Sequence, residues 1–336
     1  MRVPAVRGGA PERGHPFANL TQPMSSTDFE HAPVTAPEAG PAPSSGGRRL
    51  PRRYVAFGVI IVAIALLGTL VLVRDNYSPP SSPTVETFNP APSSLVNTVA
   101  SVPKSVYDAV GVTSPDSPVS PLQSTATAKG GTAPMWRAEV NGGPPEPVVF
   151  FYGAEFAPYA AAQRWPLVLA LSRFGTFSRL GLVQSSTTTA FADVSTFTFY
   201  NTYYSSKYVI LESIERYSSL NPTGAKYLSL QTPDRRQRAA VASYASSATT
   251  FPLLDVANRW YLNGASITPS VLMGLSQDQI AGDLSSVASP LTQAVVSAAN
   301  EITASICSVD GQQPGSVCES RGVLAADQAL GITPSA

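Results

Sequence analysis

Hydrophobic residues crowd into one uninterrupted run and then, after a long gap, into a second region with mixed periodicity. From Tyr54 to Val73, 20 consecutive residues carry no charge and are mostly Val, Ile, Leu and Ala. As a helix rising about 1.5 Å per residue, such a run spans roughly 30 Å. It has no polar face and lies beyond the first ~30 residues, so it reads as a transmembrane helix rather than a buried soluble helix or a signal-peptide core. Residues 1–53 and 74–132 are rich in Pro, Ser, Ala and Gly and lack apolar periodicity. They read as a disordered cytoplasmic tail and an extracytoplasmic linker. Within the linker, Val102, Val106 and Val110 recur every four residues between Pro103 and Gly111. That spacing fits either a short docking helix or a linker turn.

From residue 133 the pattern becomes globular, and a folded domain is expected over 133–320 with a C-terminal tail over 321–336. Pro147–Tyr152 is a continuous apolar run of the kind buried on both faces of a sheet. Gly153–Phe156 makes a turn, and Pro158 opens a helix carrying Trp165, Leu167, Leu169, Leu171 and Phe174 and ending at Gly175. Pro166 is expected to kink that helix. Val194–Tyr200 and Tyr208–Tyr217 read as strands joined by a polar connection over 201–206. Pro233 opens a helix running to about Ser246. Thr250–Val256 and Arg259–Leu262, turning at Asn258, read as a hairpin with Pro252 at its entry. Ser276 and Gln279 have capping-box spacing, and Pro290–Cys307 reads as a further helix.

Charge changes this picture at the N-terminal end. The net charge is zero, but residues 1–53 hold seven arginines against four acids. Arg48, Arg49, Arg52 and Arg53 crowd one flank of the apolar run, which by the positive-inside rule puts the N-terminus in the cytoplasm and the C-terminal domain outside. No basic stripe in the folded part suggests nucleic-acid binding. Both histidines, His15 and His31, fall in the tail. The folded part therefore has no imidazole, which excludes Ser-His-Asp, Cys-His and most zinc chemistry, and no metal or cofactor is expected.

The step from Val148–Tyr152 into the helix at Pro158 is the setting in which thioredoxin-like proteins carry Cys-Pro-x-Cys. Here it reads Ala157-Pro158-Tyr159-Ala160. The order strand, helix, strands, helix, proline-led hairpin, helix resembles the thioredoxin fold, so the expected fold class is α/β: a thioredoxin-like domain, a mixed sheet flanked by helices, behind one transmembrane helix and disordered Pro/Ser-rich linkers. The chain also resembles an uncharacterised family of membrane-anchored thioredoxin-like proteins, domain of unknown function 929. That resemblance rests on residues 153–156, Arg164-Trp165, 170–177, 195–199, 205–208 and the Cys307/Cys318 pair. The resemblance to the thioredoxin fold implies a cis Pro252 facing Ala157, whose alternative is an ordinary edge-strand proline. The family resemblance implies Cys-Pro-x-Cys-Ala-Ala-Glu-Arg-Trp at the helix start, from which this chain departs at Ala157, Ala160 and Gln163. A thiol redox centre needs an attacking thiolate and a resolving thiol, and alanine supplies neither.

Cys307 and Cys318 are the only cysteines. In an extracytoplasmic domain they read as a disulfide across a Gly/Pro-containing loop, adding on the order of 2–3 kcal/mol. The alternative is a redox-active pair. Glu155, Tyr159 and Arg164 are candidate ligand contacts at the helix start, beside Pro252; otherwise Glu155 and Arg164 are a solvated relic and Tyr159 covers the helix end. Phe197, Phe199, Tyr200, Tyr203, Tyr204 and Tyr208 are either a binding surface or, for about half of them, core. Arg235, Arg236 and Arg238 read as a solvated helix face. These readings together describe a single-pass envelope protein. Its partners would be the bilayer through Tyr54–Val73 and an extracytoplasmic peptide or protein, and its redox-inactive domain would have a binding or folding-accessory role. The alternatives are a thiol-disulfide oxidoreductase using Cys307/Cys318 and a purely structural wall-spanning anchor.

Overall fold

The computed structural model describes residues 88–112, 120–127, 133–140, 142–220, 224 and 226–332. The chain divides into two compact units, Met1–Pro79 and Pro80–Ala336, and every described residue belongs to the second. The first half of this unit comprises α1 (Ser93–Ala100), α2 (Lys104–Val110), the short strands β1 (Gln123–Ser124) and β2 (Arg137–Ala138), β3 (Glu146–Gly153), α3 (Pro158–Ser172), β4 (Gly175–Gln184), β5 (Ser195–Ser206) and β6 (Ile210–Glu215). Then follow α4 (Arg235–Tyr244), β7 (Leu253–Val256), β8 (Trp260–Asn263), α5 (Gln277–Asp283), α6 (Pro290–Asp310), α7 (Gly315–Cys318) and α8 (Arg321–Leu330).

β3 is the spine of the main sheet. It pairs in parallel with β6 and antiparallel with β7 and β2, while β8 and β1 extend the β7 side. Its side chains alternate between two cores, as strand geometry requires. Val149 and Phe151 join the cluster containing α3 and α6, whereas Val148, Phe150 and Tyr152 join Ala240, Val241 and Tyr244 of α4. A strand covered on both faces has no need of polar alternation, which accounts for the unbroken apolar run.

α3 is buried all round from Ala160 to Leu171, so its apolar residues show no single-face spacing. Each fully buried leucine there, Leu167, Leu169 and Leu171, contributes about 2 kcal/mol. The β4–β5 hairpin forms a second sheet and is pinned to α3 by side chains. Trp165 donates to the Ser195 carbonyl at 3.0 Å, Thr196 to the Ala161 carbonyl at 2.7 Å, and Tyr204 to the Leu171 carbonyl at 2.9 Å. α4 and α5 begin in capping boxes, Asp234/Gln237 and Ser276/Gln279. α6 starts at a Ser289 cap and stops at Gly311, whose φ of 83° is accessible to glycine.

The expected fold class is corrected by this architecture. Among the described residues the fold is mixed α/β with two sheets, in place of the single mixed sheet of a thioredoxin-like domain. No helix among the described residues is long and apolar enough to cross a membrane. Tyr54–Val73, and with it the bilayer contact expected of it, lies outside the described residues. The stretch read as linker supplies folded elements from Ser93 onward, because Leu95, Val99, Val106, Tyr107 and Val110 bury in the main core. The expected tail includes α8, with Val323 and Ala326 fully buried.

Two strand boundaries also differ. β5 runs unbroken through the expected polar connection, with Asn201 at φ 53°. β4 was not expected at all. Register shifts between Phe177 and Arg179 and between Arg179 and Gly181 break the alternation that would have revealed it.

Candidate functional site

Ala157 and Ala160 stand at the start of α3, Ala157 as N-cap residue and Pro158 in the first turn. They are 7% and 0% exposed, and their methyl groups belong to the main core. Tyr159 is half-buried and meets the Phe191 ring edge-on at 5.8 Å. The position offers hydrocarbon and aromatic surface, with no nucleophile.

Behind it lies a buried charge network. Arg164 donates from Nε to Glu215 Oε1 at 2.9 Å and from Nη2 to Oε2 at 2.7 Å. Phe199 N donates to the same carboxylate at 3.2 Å. The Arg164 guanidinium lies 5.5 Å from the centre of the Phe151 ring. Glu155 accepts a hydrogen bond from Thr198 Oγ1, and that hydroxyl in turn accepts from Tyr200 N at 3.1 Å. Because Thr198 has one proton and already accepts from a backbone N–H, it donates to Glu155. Burial pushes the Glu215 carboxyl above the usual carboxylate range; the Arg164 guanidinium pulls it back, and Glu155 adds to the push. Glu155 and Arg164, expected as ligand contacts, are thus 1% and 0% exposed and act inside the core.

In front of the helix start the surface is aromatic. Phe156 stacks on Tyr227 at 4.1 Å and meets Phe251 edge-on at 5.9 Å. Phe251 also packs against Tyr152 at 5.3 Å and Tyr217 at 6.3 Å. The Phe251–Pro252 peptide is cis. Since Phe156 immediately precedes Ala157, these ring contacts bring the Pro252 segment to the same end of the domain as the start of α3.

Two clefts flank this aromatic cluster. The larger, about 530 Å³, lies between α4 and the carboxyl ends of β3 and β6, where Tyr152, Arg216 and Tyr217 meet Arg238 and Val241. The other, about 500 Å³, is lined by Ser185, Ser186, Thr188, Asp193 and Leu220. Tyr227 joins the two sides, donating to Ser186 Oγ at 2.7 Å.

Cys307 and Cys318 form a disulfide with a Cα–Cα distance of 5.7 Å, and both residues are fully buried. It ties the end of α6 to α7, on elements other than those that form the crevice. Phe197 and Phe199 are core, whereas Tyr203 is 62% exposed. Arg235, Arg236 and Arg238 are exposed, and Arg236 lies 4.7 Å from the centre of the Trp136 ring.

Glu215, Arg216, Tyr217 and Tyr227 carry much of this geometry and went unrecognised in the sequence. The strand that Glu215 closes also carries Glu212 and Ser213, so its closing glutamate did not stand out. Its partner is 51 residues away, a pairing that no local pattern reveals.

The described residues thus define a mixed α/β domain with a crevice at the carboxyl end of its parallel strand pair. Residues 142–308, from just before β3 into α6, match a family described as Domain of unknown function (DUF929). No curated protein and no solved structure matches the chain.

Proposed function

We propose that this domain is a non-catalytic binding module and that its ligand or peptide segment sits in the crevice formed by Tyr152, Arg216, Tyr217 and α4. The observation that carries this reading is the geometry at the ends of β3 and β6. The helix following β3 covers one face of the sheet and the helix following β6 covers the other. The chain therefore leaves a gap at the strand ends, the place where open α/β sheets receive ligands. Aromatic rings give that gap apolar surface at low entropic cost.

The side chains present support a role without thiol-disulfide exchange. Alanine methyls fill the positions where thiols would act, and both cysteine sulfurs are locked in a fully buried disulfide. Exchange needs an approachable sulfur and an attacking thiolate. A buried disulfide also fits an oxidising compartment, which supports an extracytoplasmic location and an extracytoplasmic partner.

Two measurements test this reading. Insulin reduction by the full chain should stay at the uncatalysed rate; robust turnover that Cys307→Ser abolishes would establish an oxidoreductase instead. A fragment screen by ligand-observed NMR should yield binders that Tyr217→Ala weakens, and binders indifferent to every crevice substitution would place the site elsewhere.

A further inference from the structure

We infer that the larger cleft recognises an oxyanion, the carboxylate or phosphoryl group of its ligand, through Arg216 and Arg238. This inference rests on the crevice being a binding site and specifies the chemistry of its occupant.

The cleft is lined by two guanidinium groups and no carboxylate. Arg216 follows β6 directly and is half-buried. Its Nη1 donates to the Gln231 carbonyl at 2.6 Å, to Ser229 Oγ at 3.2 Å and to Thr232 Oγ1 at 3.4 Å. All three acceptors are neutral, so they fix the group without cancelling its charge. Arg238 comes from α4, on the opposite wall, and donates through Nη1 to the Pro233 carbonyl at 2.6 Å. Among the described residues, the ion pairs are Lys104–Asp108 and Arg164–Glu215, and neither cleft arginine has an acidic partner within 4.0 Å. Asp234, the acid nearest Arg238 in sequence, caps α4 by accepting from Gln237 N at 2.8 Å.

Nε and Nη2 of both arginines have no protein acceptor among the described residues. A guanidinium presents these atoms as a planar fork that matches the two oxygens of a carboxylate or phosphate. The hydroxyls of Ser247 and Thr249 line the same cleft, while Tyr152 closes its wall by donating to the Ala248 carbonyl at 2.8 Å. An arginine already held in place loses little freedom on binding, so the site is preorganised for negative charge.

The test is isothermal titration of the full chain at low ionic strength with inorganic phosphate and, separately, with succinate, against chloride-matched blanks. At least one oxyanion should bind saturably. Its affinity should fall at least tenfold in Arg216→Gln and in Arg238→Gln, and should weaken with added salt. Binding of phosphate alone assigns a phosphoryl ligand, of succinate alone a carboxylate ligand, and of both an oxyanion of either source. No saturable binding of either probe, or binding that both substitutions leave unchanged, overturns the inference. Arg238 lies on the exposed face of α4, so Arg238→Gln carries the test if Arg216→Gln does not fold. The titration is independent of the insulin assay and the fragment screen. Its failure would remove the oxyanion alone and leave the binding-module reading standing.

Discussion

Arg164 on α3 and Glu215 at the end of β6 form a two-pronged ion pair in which neither side chain reaches solvent. The pair links the helix behind the crevice to the strand in front of it. Glu215 N is held in turn by Gln231 Oε1 at 2.7 Å. Gln231 also supplies the carbonyl that anchors Arg216, so the buried pair and the cleft arginine share one support.

Removing one member of that pair should be far worse than replacing both. Glu215→Leu or Arg164→Met alone leaves a buried charge without its counterpart and should cost about 3–5 kcal/mol. The double replacement Arg164→Met/Glu215→Leu removes both desolvation penalties and should recover most of that loss. Urea denaturation of the four proteins closes the cycle. Additive single costs in the double variant would show that the two groups do not act as a pair.

The interlock among α2, α6 and α8 gives a second prediction. Asn300 Nδ2 donates to the Tyr107 carbonyl at 3.0 Å and the Gly111 carbonyl at 2.8 Å. Arg173 bridges Asn300 Oδ1 at 3.3 Å and Ser320 Oγ at 2.9 Å, over the Tyr107 ring. A Cβ on Gly322 would lie 2.3 Å from the Tyr107 carbonyl oxygen. Asn300→Ala should therefore cost roughly 1–3 kcal/mol through carbonyls left unpaired, and Gly322→Ala should push α2 away from α8. Hydrogen exchange should rise over residues 93–112 in both variants while β3 stays protected. Uniform exchange across the domain would contradict a local interlock.

The sequence made β3, α3 and the Ser276/Gln279 capping box legible because their signals are local: an unbroken apolar run, a proline at a helix start, and a hydroxyl three residues before a glutamine. It hid β4, whose bulges scramble the alternation, and it hid the packing of α1 and α2, whose flanks read as linker. At the site, Ala157 and Ala160 could be read directly, because a missing thiol is a statement about composition. Glu155 and Arg164 were placed on the surface by the general rule that charge avoids burial. Only the distant Glu215 explains why Arg164 is inside. Arg216 and Arg238 belong to one cleft because the fold brings the end of β6 opposite α4, and no spacing in the chain encodes that.

The disulfide spans a sequence separation of 11, for which the chain-entropy model gives about 3 kcal/mol. Cys307→Ala/Cys318→Ala should lower unfolding free energy by about that amount and leave ligand binding intact. Because both residues are fully buried, maleimide labelling after dithiothreitol treatment should appear only once denaturant is added. Rapid labelling in native buffer would show an accessible pair and would favour the exchange reading.

Asp255 should make the native domain less stable as pH rises through the acidic range. It is fully buried on β7, opposite Phe150, and takes one hydrogen bond from Asn258 N at 2.8 Å. Burial pushes its carboxyl up to about 7, against smaller downward pulls from the Asn258 N–H and the Arg236 guanidinium. Tyr261 lies directly across the strand pair from it, and the Asp255 carboxylate helps in turn to raise the Tyr244 phenol. Between the ordinary carboxylate value near 4 and the folded value near 7, the folded state holds the proton and the unfolded state releases it. Stability therefore falls with rising pH across that window and levels off above it, a loss on the order of 4 kcal/mol. Asp310 and Asp327, each pushed to about 6 by burial, act in the same direction. Asp255→Asn keeps the acceptor for Asn258 N and removes the proton equilibrium. Denaturant titrations at pH 4, 5.5, 7 and 8 should show the variant losing less stability than the native domain, with its advantage largest at pH 8. An identical pH slope in both proteins would mean that Asp255 stays ionised in the fold.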